Sequence, residues 1–322
     1  MNELARYHER EIPVINDRLK ELTKELNGLV VPVVDHVLAA GGKRLRPLLT
    51  VLTARAFGYA GDDVYPLACS LEFLHSATLL HDDILDGAEL RRGRPSAHTL
   101  FGSTKTILAG DALLALANRI VAEFGAPELT RILSQALLST ATGEILEIAH
   151  LRDTNLSFDT YMSIITGKTA YLIEAACRCG AVLAGTDRDL TEAAGNLGLN
   201  LGIAFQLVDD VLDYATPSDI SGKPSGADLR EGKVTLPLIM YLESLPQAER
   251  TSLAADFQND ALDAAALEAL RRRIMDMGFA EKTRLMAADY IKDAEKALAA
   301  FPDSPETGLL GQAVALMSNR EK

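Results

Sequence analysis

The 322-residue chain has no tryptophan, and aromatic residues make up only 5% of it. A pocket lined with aromatic rings, of the kind that stabilises a cation by cation–π contacts, is therefore hard to build from this sequence. Cysteine is also scarce: Cys69, Cys177 and Cys179 are odd in number and have no metal-binding spacing. We expect neither a disulfide framework nor a cysteine metal site, and we interpret the three as small core residues in a reducing compartment.

Long apolar runs are missing as well. Charge interrupts each apolar segment before it reaches the length of a membrane span, and the opening residues, MNELARYHEREIPVIND, lack a basic start followed by an apolar stretch. Hydrophobic residues nevertheless make up 48% of the chain, which is ample for a core. The composition predicts a soluble globular protein of the cytoplasm.

Positive charge is in short supply overall, because 32 Lys and Arg stand against 45 Asp and Glu and give a net charge of −13. This balance disfavours wholesale binding of nucleic acid or anionic lipid, so we expect no nucleic-acid partner. Any anionic ligand must be met locally. Two basic clusters could do so, GGKRLRP at Gly41–Pro47 and RRGRP at Arg91–Pro95.

Apolar spacing indicates helices nearly throughout and no convincing strand, so the predicted fold class is all-α. Gly and Pro fall mostly between the helical stretches, and no linker is long enough to divide the chain, which favours one domain over residues 1–322. The clearest predicted helices are Pro66–Asp86, Lys105–Phe124, Glu128–Ala149, Thr169–Leu183, Leu190–Tyr214 and Ala280–Ala300. The predicted breaks are Gly41–Gly42, Gly58–Gly61, Gly87–Pro95, Gly180–Gly185 and Thr216–Gly232.

One acidic pentad occurs twice, as Asp82-Asp83-Ile-Leu-Asp86 and as Asp209-Asp210-Val-Leu-Asp213. On a helix, the first and fifth residues of such a pentad lie on one face and the second borders them. The acids lie among apolar residues, so a cation must compensate them, and hard Mg²⁺ prefers such oxygen ligands. A single pentad could be a solvated helix end, but duplication in similar apolar settings weakens that alternative. Two facing pentads would bracket a metal-bound polyphosphate.

Further polar residues lie close to the pentads in sequence. Lys168 and Thr169 follow a glycine, and Gln206 precedes Asp209 by one turn. The loop GKPSGADLREGK, which contains Lys223, Asp228 and Lys233, is either a basic lid beside a metal site or an ordinary exposed loop with solvated charges. A lone histidine on an apolar helix is more often a core residue than a ligand. His75, however, is seven positions before Asp82 and so on the same helix face.

These motifs occur in a fixed order: GGKRLRP, LLHDDILD followed by RRG, GK-Thr, FQLVDDVLDY and GKPSGADLREGKVTLP. Together they resemble the trans-isoprenyl diphosphate synthases of the polyprenyl synthetase family, especially the long-chain branch. The resemblance covers nearly the whole chain. It implies a single-domain bundle of antiparallel helices around a deep central cavity, usually in a homodimer. It also implies sequential condensation of isopentenyl diphosphate onto an allylic diphosphate.

The resemblance also implies a ligand set of three Mg²⁺ ions, two on Asp82 and Asp86 and a third on Asp209. The carboxylates that complete or support those shells would be Asp83, Asp210 and Asp213. The allylic diphosphate, clamped by the ions, would also contact Arg91, Lys168, Lys233 and, from the loop, Lys223. The diphosphate of isopentenyl diphosphate would be bound by Lys43, Arg46, His75 and Arg92.

Such chemistry suits these residue types. Mg²⁺, Lys and Arg stabilise the charge that develops when a carbon–oxygen bond to diphosphate breaks. Thr169 and Gln206 would turn oxygen dipoles toward the allylic cation that remains, and the double bond of isopentenyl diphosphate, held nearby, would attack it. No motif supplies a dedicated general base, so we expect the departing diphosphate to take the proton.

Product length should depend on the residues beneath the first pentad. In the family, short-product enzymes place bulky aromatics four or five positions before the first Asp, where this chain has Thr78 and Ala77. The resemblance then implies a product of roughly seven to ten isoprene units for a quinone side chain. So apolar a product makes transient membrane contact possible at release. Alternatively, Ala77 is simply a small residue that helix packing needs.

Other functions stay open to different degrees. A terpene cyclase shares metal-dependent ionisation but needs an aromatic-lined pocket. A noncatalytic subunit of a heteromeric prenyl synthase should have lost one pentad or a basic cluster, and neither is lost here. A short-chain synthase with a C20 product, geranylgeranyl diphosphate, is the main alternative, and only its products would distinguish it.

Overall fold

The computed structural model describes residues 3–215 and 226–318. Lys223 lies outside the described residues. Most of the described chain is helical, so the predicted all-α class is confirmed. The helices are α1 (Glu3–Thr23), α2 (Val31–Ala39), α3 (Leu45–Ala56), α4 (Val64–Leu85), α5 (Ala97–Phe101), α6 (Ser103–Glu123), α7 (Pro127–Ala149), α8 (Phe158–Ile165), α9 (Tyr171–Leu183), α10 (Arg188–Ala215), α11 (Ala227–Glu231), α12 (Leu236–Ser244), α13 (Gln247–Gln258), α14 (Ala264–Asp276), α15 (Phe279–Leu298) and α16 (Pro305–Ser318). One π-helical turn, Thr166–Ala170, joins α8 to α9.

The predicted helices agree with α4, α6, α7, α9, α10 and α15 to within a few residues at each end. One predicted break is wrong at its start, because Gly180 lies inside α9. A Cβ at that position would be 2.5 Å from the carbonyl oxygen of Thr50 on α3. Gly180 therefore serves the close packing of two helices rather than a turn.

The segment predicted as a plain break before Pro95 contains a short hairpin. Strand β1 (Leu90–Arg91) pairs antiparallel with β2 (Arg94–Pro95), with Leu90 opposite Pro95. Arg92 and Gly93 form the two-residue turn, and both have positive φ, 52° and 74°. That pattern is typical of the type I′ turn, whose twist matches the twist of paired strands. Strands this short leave no periodic signal in a sequence.

The chain divides into two compact units, each made of separate segments. The first contains residues 1–138, 172–198 and 295–313. Within it, α4 packs against α1, α3 and α6. Leu67 and Leu71 on one side of α4 and Phe73 on another side are completely buried. A helix that is apolar on most sides is a central one, and α4 thus carries the first pentad out of the middle of this unit.

The second unit contains the described residues within 139–171, 199–294 and 314–318. Its core joins residues of α8, the end of α10, α12 and α14, among them Leu207, Tyr214, Leu238 and Ile274. Tyr214 is completely buried, and its hydroxyl is hydrogen-bonded to the hydroxyl of Thr235 at 2.9 Å. This core fixes the last turns of α10, which carry the second pentad.

Among the described helices, none is both long enough and apolar enough to cross a membrane. The cytoplasmic location and the single domain over residues 1–322 stay predictions.

Candidate active site

The first pentad lies at the carboxyl-terminal end of α4, where the helix leaves the core of the first unit. Asp82 and Asp83 belong to its last turn, and Asp86 is the capping residue, whose backbone N–H donates to the carbonyl of Asp82 at 2.8 Å. The three carboxylates differ in exposure. Asp86 is exposed, Asp82 is half-buried, and Asp83 is only 3% exposed.

Asp83 is committed to an ion pair. The Nε of Arg91, on strand β1, donates to its carboxylate at 2.6 Å. Burial raises the pKa of Asp83, and the charge of Arg91 partly offsets that effect. The second aspartate of the pentad thus fastens the hairpin to α4 and orients Arg91.

The hairpin turn meets the first basic cluster. A Cβ on Gly42 would lie 2.8 Å from a terminal guanidinium nitrogen of Arg92, so this arginine rests on the glycine backbone. Both ends of the contact are conformationally unusual, with φ of 154° at Gly42 and 52° at Arg92. Such strain in a non-glycine residue tends to persist where the surroundings require it, often at functional sites. The sequence motifs GGKRLRP and RRG therefore meet in space.

Arginines surround His75. Burial lowers the pKa of His75 well below its usual range, and the charges of Arg46, Arg92 and Arg91 lower it further. The histidine is therefore neutral at pH 7. Burial also lowers the pKa of Arg46 to about 10, and its Nε is buried without a hydrogen-bond partner in the described part of the chain. This is the environment of a preformed anion site, because a buried donor needs an acceptor.

Arg44 has a structural role in the same cluster. It has a left-handed backbone, with φ of 45°, at the start of α3. Its guanidinium donates to Glu72 at 2.6 Å and to the carbonyl of Leu38 at 2.5 Å, and both charged side chains are buried. The carboxylate of Glu72 is thus paired with Arg44. The four arginines of the cluster outnumber the two carboxylates that bind them, Glu72 and Asp83, so a positive excess remains near His75.

The two residues predicted to set product length differ in environment. Ala77 is completely buried in the first unit. Thr78 is half-buried, and its hydroxyl donates back to the carbonyl of His75 at 2.9 Å. Thr78 is also one turn before Asp82 and so shares its face of α4. Of the pair, Thr78 has the better position beneath the pentad.

The second pentad lies in the last two turns of α10 (Arg188–Ala215). Asp209 is exposed, whereas Asp210 is 3% exposed. The Asp210 carboxylate accepts from the hydroxyl of Tyr161 at 2.5 Å and from the Gln206 amide at 2.8 Å. Burial raises the pKa of Asp210, although both donors act to lower it.

Gln206 extends this network to the π-helical turn. Its amide oxygen accepts from the hydroxyl of Thr169 at 2.8 Å. The sequence expectation that Thr169 and Gln206 both turn oxygens toward a cation therefore needs refining. The Gln206 oxygen already accepts a hydrogen bond from the Thr169 hydroxyl, whereas the Thr169 oxygen is the donor in that bond and keeps its lone pairs.

Asp213 caps a second segment. Its carboxylate accepts from the backbone N–H groups of Ala227 at 3.0 Å and Asp228 at 3.2 Å, at the start of α11. Its carbonyl accepts from the N–H of Gly226 at 2.8 Å. The last aspartate of this pentad thus holds the chain that leads to Lys233.

Lys168 and Lys233 are both held by glutamates. The ammonium of Lys168, in the π-helical turn, contacts Glu144 at 2.7 Å and Glu147 at 2.5 Å. The ammonium of Lys233 contacts Glu231 at 2.7 Å and Glu147 at 3.9 Å. The two lysines predicted to bind one diphosphate are thus brought together in the second unit, around a shared carboxylate.

The chain resembles known proteins over most of its length. The sequence model described as polyprenyl synthetase matches residues 28–274. The chain belongs to the polyprenyl synthetase family. It is 36% identical over 289 residues to octaprenyl diphosphate synthase of Escherichia coli K12, with 88% of each chain covered. The resemblance drawn from the motifs is confirmed, and this polyprenyl synthetase is an enzyme of the prenyltransferase class.

Solved structures agree with this polyprenyl synthetase over almost their whole length. The decaprenyl diphosphate synthase from Rhodobacter capsulatus has a TM-score of 0.93 at 35% identity, covering 99% of this chain and 98% of that one. A polyprenyl synthase from Caulobacter crescentus CB15 has a TM-score of 0.92 at 38% identity, covering 99% and 97%. The second structure is a complex with calcium and isoprenyl diphosphate.

The donors of this polyprenyl synthetase fit a hard divalent cation. Within 3–215 and 226–318, no three acidic, His or Cys side chains form a ready-made metal site. Mg²⁺ commonly takes one or two carboxylates and completes its shell with water and substrate phosphate, so carboxylates that are at least partly exposed, such as Asp82, Asp86 and Asp209, suit it. Burial raises the pKa values of Asp83 and Asp213. Both carboxylates are already held, Asp83 by the Arg91 guanidinium and Asp213 by backbone N–H groups at the start of α11.

Sequence reasoning missed four polar residues at these sites: Glu72, Glu144, Glu147 and Tyr161. The signal for two of them was present. Glu144 and Glu147 are three residues apart in GEILEIAH, acids among apolar residues, which is the criterion that identified the pentads. Tyr161 and Glu72 left no comparable signal, because each is a single polar residue on an apolar helix.

Proposed function

We propose that this polyprenyl synthetase uses Mg²⁺ to condense isopentenyl diphosphate with an allylic diphosphate, farnesyl or geranylgeranyl, by 1′-4 head-to-tail addition. The product would be a long all-trans polyprenyl diphosphate of about C35 to C50 for quinone side chains. The observation that carries the proposal is the excess of arginine around neutral His75 beside an acidic pentad. An anion site next to hard-cation ligands is what a metal-bound diphosphate requires.

We assign isopentenyl diphosphate, the homoallylic substrate, to the arginine cluster around His75. Lys43, Arg46, His75 and Arg92 would bind the diphosphate of isopentenyl diphosphate. Support comes from the buried Nε of Arg46, which needs an acceptor, and from His75, whose neutral ring can donate one hydrogen bond without adding charge. Bidentate binding of phosphate oxygens suits the arginine forks.

The allylic diphosphate is assigned to Asp82, Asp86 and Asp209 through their metal ions, and to lysines. When bound, Mg²⁺ would stabilise the negative charge that develops on the leaving diphosphate. Arg91, oriented by Asp83, and Lys168 and Lys233, gathered by glutamates, would contact the same diphosphate directly. Lys223 is predicted to join them. That the two pentads meet around one diphosphate stays a prediction.

The residues of the chain would act mainly by binding and by orientation. Lysine and arginine stabilise the departing diphosphate as the carbon–oxygen bond breaks. The lone pairs of Thr169 favour the allylic cation, and the held double bond of isopentenyl diphosphate attacks that cation because it lies nearby. The proton lost from the new carbon chain then passes to the departing diphosphate, so the released pyrophosphate carries it.

The long product is proposed on the strength of Thr78, a small residue on the face of Asp82, and of relatives named for octaprenyl and decaprenyl products. The alternative is a C20 product, which the complete burial of Ala77 keeps open. If Ala77 serves only helix packing, it gives no information about a tunnel.

A homodimer is also proposed. Helix α7 exposes three large apolar side chains near one face, Leu138 at 61%, Ile145 at 66% and Ile148 at 44%. Large apolar residues grouped on a helix surface usually mark an interface. Sedimentation equilibrium of the purified chain tests this, and a monomer at micromolar concentration would contradict it.

The proposed reaction is tested with purified protein, isopentenyl diphosphate and farnesyl diphosphate, in Mg²⁺ or in excess chelator, with products sized by mass spectrometry. We expect a metal-dependent ladder of prenyl diphosphates that ends beyond C30. A ladder that stops at C20 keeps the chemistry and rejects the long product. No condensation with any allylic primer favours a noncatalytic subunit.

A further inference from the structure

The carboxylate of Glu147 lies between two lysines in the second unit. Its Oε1 is 2.5 Å from the ammonium of Lys168 and 3.9 Å from that of Lys233. One carboxylate oxygen therefore occupies a position that both cations share. An oxygen of a bound diphosphate would need the same position, because each lysine offers its charge at a single point.

The sequence builds this arrangement through close backbone packing. A Cβ on Gly143 would lie 2.3 Å from the backbone nitrogen of Lys168, and one on Gly167 would lie 3.0 Å from the Cα of Gly143. Both glycines are thus required for α7 and the π-helical turn to touch. Glu144 directly follows Gly143, and Glu147 comes one turn of α7 after Gly143, so both glutamates lie close enough to reach the Lys168 ammonium.

The cluster is overcompensated by its own anions. Among the residues that the structure describes, Glu144, Glu147 and Glu231 contact the two lysines, so at least three carboxylates face two ammonium groups. Burial alone would lower the pKa of Lys168, but Glu147 and Glu144 outweigh it and raise the pKa. The same balance, with Glu147 and Glu231, raises the pKa of Lys233. A single carboxylate oxygen of Glu144 is meanwhile buried without a hydrogen-bond partner.

We propose that Glu147 is a positioning residue that stands in for a diphosphate oxygen between Lys168 and Lys233 and competes with the incoming anion for both lysines. This inference rests on the proposed function, which assigns the two lysines to the allylic diphosphate. Holding the lysines in place lowers the entropic cost of binding, while the competing charge limits how tightly diphosphate is held.

The competition has a use in a sequential reaction. Each condensation leaves a pyrophosphate that must depart before the lengthened chain can occupy the same place. A site made only of cations would retain that pyrophosphate, and release would become slow. A carboxylate that returns to the lysines as the anion leaves favours release at every cycle.

The test is the binding of inorganic pyrophosphate, with Mg²⁺, to the full chain by isothermal titration calorimetry. Glu147→Gln keeps the size of the side chain and removes its charge. We expect the pyrophosphate Kd to fall about three- to tenfold, because the two lysines lose a competing anion. Glu147→Asp keeps the charge, and its Kd should stay within about twofold of wild type.

Two further variants guard against trivial outcomes. Glu174→Gln removes the charge of another glutamate in an ion pair, with Arg178 at 2.6 Å and a side chain 16% exposed against 19% for Glu147. It should leave the pyrophosphate Kd unchanged. Glu144→Gln, which frees only Lys168 of one anion, should tighten binding less, about twofold, and replaces Glu147→Gln if that variant does not fold.

The inference is overturned if Glu147→Gln folds with a wild-type melting temperature and binds pyrophosphate equally well or more weakly. A purely structural ion pair would give that result. Pyrophosphate that binds neither wild type nor variant also contradicts it. The proposed function fails separately, when wild type yields no prenyl ladder from isopentenyl and farnesyl diphosphates, whatever the pyrophosphate affinities are.

Discussion

The two acidic pentads share a sequence pattern but differ in what supports them. In both, the second aspartate is buried: Asp83 is held by the cation Arg91, and Asp210 by the neutral donors Tyr161 and Gln206. The first aspartate is half-buried in one pentad, Asp82, and exposed in the other, Asp209. The fifth positions diverge, because Asp86 is exposed at a helix end while Asp213 caps the start of α11.

This difference shows that a motif does not assign the same role to each of its positions. Each pentad has one exposed carboxylate, Asp86 in the first and Asp209 in the second, and one that is half-buried, Asp82 and Asp213. The half-buried Asp213 accepts from the backbone N–H groups that begin α11. Two metal ions on the first pentad and one on the second, as the family resemblance implies, stays a prediction.

The first positions of the two pentads should have the largest effect. Asp82→Asn and Asp209→Asn each remove a charge expected to bind metal, so kcat should fall about 10³-fold, a loss typical of removing a main electrostatic element. Both residues are at least partly exposed, so the melting temperature should change little. Initial rates of isopentenyl diphosphate consumption check this. A loss in kcat below tenfold for either variant would contradict the prediction that Asp82 and Asp209 both bind metal.

The residue one turn before each pentad offers a second contrast, Thr78 in the first and Phe205 in the second. Thr78→Phe makes the first pentad resemble the second and places a ring on the face of Asp82. The longest product should shorten by several isoprene units, as read by mass spectrometry, because the ring obstructs the growing chain. Thr78→Ala is the control and should keep the wild-type length.

Ala77→Phe separates the tunnel from packing. Since Ala77 is completely buried, the ring should overpack the first unit and cost about 1–3 kcal/mol of the free energy of unfolding. Urea unfolding measures that cost beside the product length. A stable variant with shortened product would show that Ala77, rather than Thr78, faces the chain.

The buried second positions should differ in stability. Asp83→Asn removes the charge partner of Arg91, whose side chain is 29% exposed, and should cost about 1–2 kcal/mol. Asp210 is held by two neutral donors rather than by a cation, and asparagine keeps an oxygen that accepts from one of them, so Asp210→Asn should cost less than about 1 kcal/mol. Urea unfolding at pH 7 compares them. The reverse order would contradict the assigned partners.

His75 provides the smallest effect and a pH readout. Its pKa is lowered by burial and by Arg46, Arg92 and Arg91, so the midpoint of its ring titration should lie below the ordinary histidine value of about 6.5. Bound pyrophosphate would offset the arginine charges and raise that pKa. NMR of the ring protons follows both states. A ring that titrates near its ordinary value in the free protein would remove the arginine cluster from this account.

Much of the fold could be predicted because the helices are long and strongly periodic. The hairpin could not, since each of its strands has two residues. The close approach of Gly180 to α3 was also hidden, because a glycine near a turn and a glycine at a close approach look alike in sequence.

The candidate site, like the fold, was predictable only in part. The order of motifs predicted a set of site residues whose roles stay predictions, and the structure places Arg46, Arg91 and Arg92 near His75 and Arg92 against Gly42. Partners were not predictable from one sequence. Tyr161 reaches Asp210 across 49 positions, and Glu147 reaches Lys168 across 21, and no local rule connects residues so far apart.

The unequal roles of the two fifth positions are the central claim, and one paired measurement tests it. Asp86→Ala and Asp213→Ala are compared for kcat as a function of Mg²⁺ and for the free energy of unfolding in urea. We predict that Asp86→Ala loses about 10²- to 10³-fold in kcat with little change in stability. Asp213→Ala should lose about 1–2 kcal/mol, as for a lost helix cap, with the Mg²⁺ dependence largely kept. Equal Mg²⁺ dependence and equal stability in the two variants would contradict the account.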